Sequence, residues 1–190
     1  MARLGLWRFS RHPLVRSAYE WLGDRGLVLA RLDRYERPTA DAPAWPDRPD
    51  VTVSVAPVTE TCPDRLRDEP IAPDDRVVLA GRDGRAVGSF VLSSRPVYVP
   101  ALERRLRPPG VYGWELFVEP AARGEGVGTD LIRAAVAWTG EQPGVERCSA
   151  FVAPDNRPSR RAFAAAGFRP TVRHTAVGLG RWRLDRRERL

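Results

Sequence analysis

One short glycine-rich turn constrains this chain more than any other feature. From Val118 to Trp138 the sequence reads VEPAARGEGVGTDLIRAAVAW: a strand end, a tight turn and the opening of an amphipathic helix. Arg123, Gly126 and Gly128 stand at the spacing R-x-x-G-x-G. The two glycines carry no Cβ, so the backbone can bend sharply and approach a ligand closely. The first N–H groups of the following helix have no internal partner, and the helix dipole adds partial positive charge. Such a turn is an anion site, most often for phosphate, and Arg123 adds a fixed positive charge beside it. Two common phosphate loops are excluded. A Walker loop requires a lysine, and the chain contains none. A dinucleotide fingerprint starting at Gly124 requires a third glycine where Thr129 stands.

A second segment lies downstream. Cys148 to Val152 alternates and is apolar enough for a strand. It runs into Asp155 and Asn156, either of which can begin a helix, through the helix formers Ala162 to Ala166, to a C-cap at Gly167. Asn156, Ser159, Ala162, Phe163, Gly167 and Phe168 occupy the positions of an N-x-x-A-x-x-φ-Y-x-x-x-G-F pattern. With the turn, this segment resembles the GNAT superfamily, the acetyl-CoA-dependent N-acetyltransferases, whose phosphate loop reads Q/R-x-x-G-x-G/A. The resemblance covers residues 51–182. It implies an α+β (α/β) fold, with a mixed, mostly antiparallel central sheet of six to seven strands flanked by helices.

Composition is compatible. The 190 residues hold one ordinary domain with an extension, and 43% are hydrophobic, which suits a folded chain. The net charge of +7 comes from 31 basic residues, all arginine. It favours anionic ligands and gives non-specific attraction to nucleic acid or anionic lipid. No helix-turn-helix, zinc or RNP-type signature accompanies it, so no specific nucleic-acid partner is expected. Cys62 and Cys148 lack metal spacing, no metal is expected, and Cys148 reads as a buried thiol. No apolar run approaches the roughly 20 residues of a membrane span, and no secretory-type start is present. The expected location is the cytoplasm.

Residues 1–37 read as a basic helical extension. Leu14, Val15, Ala18, Trp21 and Leu22 recur at helical spacing, and Leu27 to Tyr35 can form a further helix. Such a helix can lie on a membrane surface, although packing against the domain or a partner subunit is the simpler reading. Residues 38–50 are a proline-rich linker, 51–184 the catalytic domain, and 185–190 a charged tail. Within the domain, Val51, Val53 and Val55 mark a first strand, and residues 58–73 have room for one brief helix. Arg76–Arg82, Asp83-Gly84 and Arg85–Ser93 form a hairpin. Val111 to Val118 is a strand, Leu131, Ile132, Ala135 and Val136 the apolar face of a helix, and Phe168–His174 and Ala176–Trp182 the closing strands. Family members usually carry two helices in the region abbreviated here, so residues 1–37 are expected to cover the gap, unless a large acceptor needs an open cleft.

The resemblance also implies site roles. The pantetheine arm would lie between two splayed strands, bonded by backbone groups of Phe117 and Val118, with the Val118 N–H polarising the thioester carbonyl. The pyrophosphate would take N–H groups from Arg123, Gly124, Glu125, Gly126, Val127, Gly128 and Thr129. Asn156 would hydrogen-bond the cofactor, and Arg160 or Arg161 would meet its 3′-phosphate. The reaction implied is direct acetyl transfer to an amine, which must first lose a proton. Glu115, a carboxylate inside a strand and on the face opposite Leu116 and Val118, is the expected base, with Glu119 second. Phe163 stands where the family has a proton-donating tyrosine, leaving Tyr98, Tyr112, Ser159 or water for that role. His12 and His174 read as structural or exposed. The acceptor is a small-molecule or peptide amine. Arg104, Arg105 and Arg107 hint at an acidic or phosphorylated one. A homodimer is common in the family, and nothing in the sequence decides it. The alternative reading is a non-catalytic CoA or acyl-CoA sensor.

Overall fold

Strand Leu27–Pro38 (β1) lies in the interior of the sheet, where the sequence predicts a helix. The computed structural model describes residues 27–179 and 182–190, so the helix expected over Leu14–Leu22 lies outside them. β1 pairs antiparallel with β8 (Arg147–Val152) on one side and β9 (Arg169–Leu179) on the other. The helical reading fails because β1 packs both its faces. Ala30 and Leu32 join one apolar cluster and Tyr35 the other. A strand covered on both faces loses the polar alternation that would identify it.

The remaining strands are β2 (Thr52–Pro57), β3 (Arg76–Arg82), β4 (Arg85–Ser93), β5 (Val97–Val99), β6 (Arg104–Leu106), β7 (Val111–Val118) and β10 (Trp182–Arg189). The main sheet has eight strands in the order β10-β9-β1-β8-β7-β4-β3-β2, against the six to seven expected, because β1 and β10 are added. Only β7 and β8 run parallel in it. They are joined through helix α1 (Val127–Gly140), the crossover that a parallel pair requires. Helix α2 (Arg157–Ala165) links β8 to β9. The two strands expected from Phe168 to Trp182 are one strand, β9, and the residues expected as a C-terminal tail lie mostly in β10. In the β3–β4 hairpin, Asp83 and Gly84 both take positive φ (50° and 73°), as the tight primed turn demands. The stretch from 58 to 73 contains a single 3-10 turn, Asp64–Leu66.

The core lies between the sheet and the helices. Val127, Leu131, Ile132, Ala135 and Val136 of α1 are wholly buried, with Cys148 beneath them, whose thiol burial pushes up to about 12. The other face is covered by the small β5–β6 hairpin and by the 58–71 segment, where Leu66 packs with Val58, Val77 and Val91. Residues 39–50 have no regular structure but are fastened. Thr39 donates its N–H to Glu146 O (3.0 Å), Trp45 Nε1 donates to Glu141 (2.9 Å), and Arg48 reaches Asp130 at 3.2 Å. They form a strap along α1.

Candidate functional site: a parting of two parallel strands

β7 and β8 pair at three positions, Val111 with Cys148, Tyr112 with Ser149 and Gly113 with Ala150. Beyond these the pairing stops, although both strands continue, to Val118 and Val152. Two local features cause the parting. At Gly113 the Phe90 ring lies across the strand, where a Cβ would come within 2.1 Å of it. At Glu115 the backbone is left-handed (φ 50°), and the register with β4 shifts by one residue between Val91 and Ser89. This is a β-bulge, which bends its strand and increases its twist. The extra residue also sorts the side chains. Leu116 and Val118 join the helix-side core, while Trp114 packs with Val91 and Leu79 on the other face. Glu115 meets Arg65 on that other face, set there by the bulge and not by plain strand alternation.

Beyond the bulge, Glu119 donates its N–H to Val87 O (2.8 Å). Bonded positions alternate along an antiparallel ladder, so Phe117 and Glu119 turn their backbone groups to β4 and Val118 turns its own to the gap. Phe117, expected to share in binding the arm, instead pairs with Ser89 of β4. The Val118 carbonyl accepts from Arg123 Nε (2.9 Å), which draws the following turn against the strand.

In that turn Gly124 and Gly126 take φ of 86° and 90°, a conformation that β-carbon sterics make costly for other residues. Thr129 and Asp130 donate back to Gly126 O (2.8 and 3.1 Å). The N–H groups of Gly124, Glu125, Gly126, Val127 and Gly128 have no backbone partner among the described residues. A concave run of unpaired donors at a helix start is the chemistry of an anion site. The turn is braced from outside. Arg48 donates to Glu125 O (2.7 Å), to Asp130 (3.2 Å) and to both Asp50 oxygens, and Arg82 bridges Asp50 and Glu125 (3.0 and 2.6 Å). The Glu125 carboxylate is therefore drawn sideways, away from the N–H groups. Nothing in the spacing of Arg48, Asp50 and Arg82 announces this network, since strap and hairpin meet only in the folded chain.

Across the gap, Asn156 caps α2, its Oδ1 accepting from Ser159 N–H (3.3 Å). That leaves the amide NH2 to meet a ligand. Arg160 is committed elsewhere, to Tyr35 Oη (3.2 Å) and Pro154 O (2.9 Å), whereas Arg161 is exposed. Phe163 is 3% exposed, with its ring 5.1 Å from Phe168 and 6.0 Å from Phe90; it is core and has no proton to give. Of the substitutes, Tyr112 is buried, and that burial, with the Glu115 charge second, raises its hydroxyl far above the usual range; Tyr98 is exposed.

On the opposite face of β7, Glu115 Oε2 accepts from Arg65 Nη2 (3.1 Å). Arg65 also donates to Ser89 Oγ (2.8 Å) and stacks 4.3 Å above the Phe117 ring. Glu69, in the same segment as Arg65, is half-buried. Burial first and the Glu115 charge second raise its carboxyl above the ordinary range, against the opposing pull of Arg65. Nothing in the sequence singles Glu69 out. Of the arginines that hint at the acceptor, Arg104 is partly consumed by Asp185 (3.6 Å), and nearby Arg95 by buried Asp75 (2.7 Å). Among the described residues, no group of three or more His, Cys, Asp or Glu side chains is placed to hold a metal, and no helix is long and apolar enough to cross a membrane.

The chain is 35% identical over 92 residues to an L-2,4-diaminobutyric acid acetyltransferase of Nocardia farcinica, a match covering 48% of this chain and 42% of that protein. The matched stretch therefore spans less than half of that relative. In fold it resembles a GCN5-related N-acetyltransferase from Kribbella flavida (TM-score 0.59, 15% identity, 85% of this chain and 63% of the other). It also resembles a putative GNAT-family acetyltransferase from Novosphingobium aromaticivorans (TM-score 0.51, 19% identity, 82% and 67%). Residues 39–168 match the acetyltransferase (GNAT) family model, and with that span, more than half of its length, the chain belongs to the GNAT family of acyltransferase enzymes.

Proposed function

We propose that the protein transfers the acetyl group of acetyl-CoA to a primary amine of a small molecule or peptide. The observation that carries this reading is the parting of β7 and β8 with a donor-lined turn at its end. The gap exposes the Val118 N–H where a thioester carbonyl oxygen can accept it. A donor fixed by the strand needs no reorganisation as negative charge develops on that oxygen. The N–H groups from Gly124 to Gly128 would hold the pyrophosphate; those of Arg123 and Thr129, expected to join them, are taken by Pro120 O and Gly126 O. The Arg123 side chain is a brace for the turn, and its charge adds to the field there. Asn156 would hold the pantetheine portion through its amide. Holding both reactants in one cleft supplies much of the rate, and the thiolate is a good leaving group, which lessens the need for an acid at Phe163. The Nocardia relative's name makes L-2,4-diaminobutyrate the first acceptor to try.

The test is calorimetric titration with acetyl-CoA beside a Gly126→Glu variant. Glutamate is strained at φ 90° and would place a carboxylate among the donors. Micromolar binding by the wild type that the variant abolishes is the expected result. A folded wild type that does not bind acetyl-CoA refutes the reading.

A second reading, a CoA or acyl-CoA sensor without turnover, draws on the buried Phe163. It requires binding without thioester loss in the presence of any amine, whereas the enzyme consumes thioester.

A further inference from the structure

The face of β7 opposite the helices carries an ion pair that is both fixed and open to solvent. Arg65 Nη2 donates to Glu115 Oε2 (3.1 Å), its Nη1 donates to Ser89 Oγ (2.8 Å), and the guanidinium lies 4.3 Å from the centroid of the Phe117 ring. A planar guanidinium can stack on a ring and make in-plane bonds at once. The backbone beneath it is anchored too. Leu66, the next residue, is 1% exposed and packs with Val58, Val77 and Val91, and its N–H donates to Pro63 O (2.8 Å). Yet the side chains of Arg65 and Glu115 stay 28% and 40% exposed, and Arg65 keeps further N–H groups for a ligand. Glu115 holds its place at a φ of 50°, a strained conformation of the kind that clusters at ligand sites. The pair also stands at the cleft. Glu115 and Phe117 belong to the stretch of β7 past Gly113, where pairing with β8 has stopped. Val118, whose N–H turns to the gap, follows Phe117 directly, and a strand advances about 3.3 Å per residue. An acceptor that enters the gap from this face meets Arg65 and Glu115 on the way.

We propose that Arg65 and Glu115 hold the head group of an α-amino acid, its carboxylate on Arg65 and its α-ammonium on Glu115, so that a second amine on its side chain reaches the thioester. The proposal rests on the acetyl-transfer reading and names the class of its acceptor, a diamino acid. The chemistry is complementary. A carboxylate and an ammonium on one carbon present opposite charges side by side, and the protein offers the reverse pair 3.1 Å apart. The ligand carboxylate takes charge-assisted bonds from N–H groups whose direction Ser89 and Phe117 have already set. Its ammonium lies against the exposed part of the Glu115 carboxylate. A diamine without the carboxylate gives Arg65 nothing to bind, and an amino acid without the α-ammonium gives Glu115 nothing beyond Arg65. With the head group held, the α-nitrogen is bound as a cation and does not attack, which directs the acetyl group to the side-chain nitrogen. In this role Glu115, the base expected from sequence, binds a charge and takes no proton.

The experiment compares the full-length wild type, Arg65→Met, Arg65→Lys and Glu115→Gln, with acetyl-CoA binding read by calorimetry. Thioester loss is followed with L-2,4-diaminobutyrate, with 1,3-diaminopropane, which lacks the carboxylate, and with 4-aminobutyrate, which lacks the α-ammonium. The wild type should favour diaminobutyrate over each of the others by about tenfold or more in kcat/KM. NMR of the product should place the acetyl group on the side-chain nitrogen. Arg65→Met should erase most of the preference over 1,3-diaminopropane, and Arg65→Lys should restore part of it. Glu115→Gln should erase most of the preference over 4-aminobutyrate. Each variant should still bind acetyl-CoA. Variants that slow all three amines alike mark a purely structural pair and overturn the proposal. It is equally overturned by a wild type that favours either truncated amine, acetylates the α-nitrogen, or binds acetyl-CoA and consumes thioester with none of the three. All of these leave the acetyl-CoA site standing, whereas a wild type that does not bind acetyl-CoA overturns both readings.

Discussion

Gly113 shows how a single residue sets the cleft. Its missing side chain is the space that the Phe90 ring fills, and a Cβ there would lie 2.1 Å from Cζ and 2.7 and 2.9 Å from the Cε atoms. Phe90 is 1% exposed and packs edge-on to Phe163, so the ring has little room to yield. Gly113→Ala is expected to cost about 1–3 kcal/mol, the range for overpacking a filled core, read as a lower Tm; Phe90→Leu in the same chain should recover part of it. An unchanged Tm would mean that the ring is not confined. Gly124 and Gly126 are legible from sequence because their spacing is itself the motif. Gly113 and Arg65 are not, since each acquires its role from a neighbour distant in sequence: Phe90 and Ser89. Asn156 was legible in position, and its capping bond to Ser159 shows which part of the amide remains for a ligand.

Among the elements, the strap and β1 depart most from their sequence readings. The proline-rich stretch reads as a linker because its prolines forbid a ladder, yet Arg48 makes it the brace of the glycine turn. Arg48→Ala is expected to weaken acetyl-CoA binding a few-fold, as fits a partly exposed ion network, with the wild-type advantage shrinking in high salt. Equal affinities at low salt would show that the turn holds its shape unaided. The β3–β4 hairpin, β7 and β8 match their expected bounds closely, because each has a clean period and a clear stop, and α1 follows the glycine turn with its expected apolar face buried. The β5–β6 hairpin escaped prediction: its strands are three residues each, too short for any period to register.

For the whole molecule, β1 stands between β8 and β9, paired along both edges. Deleting residues 1–38 leaves both neighbours with unsatisfied backbone groups and opens the core at Tyr35, so the truncated chain should lose cooperative unfolding and acetyl-CoA binding together. A truncated chain that still melts cooperatively would show that another segment can fill the place. Acid should unfold the protein partly through His174. This side chain is 1% exposed beside Phe151 and accepts toward Arg104. Burial, with Arg187, Arg104 and Arg34 against Asp185, lowers its pKa from 6.5 to about 4. The native state therefore holds the neutral ring and the unfolded chain binds the proton first. The contribution is complete above pH 6.5 and is lost as pH falls from there toward 4, by about 3 kcal/mol in all. In His174→Gln that segment of the stability–pH curve should flatten; an unchanged curve would assign it to other groups. By itself the sequence determined the family, the glycine turn, the capped α2 and most of the strand order, because those depend on local spacing, backbone freedom and short periods. Only the tertiary structure decided the sheet position of β1, the parting of β7 from β8, and the tie between Glu115 and Arg65. Those follow from contacts between segments far apart in the chain, where burial and neighbouring charge, not spacing, set what a side chain can do.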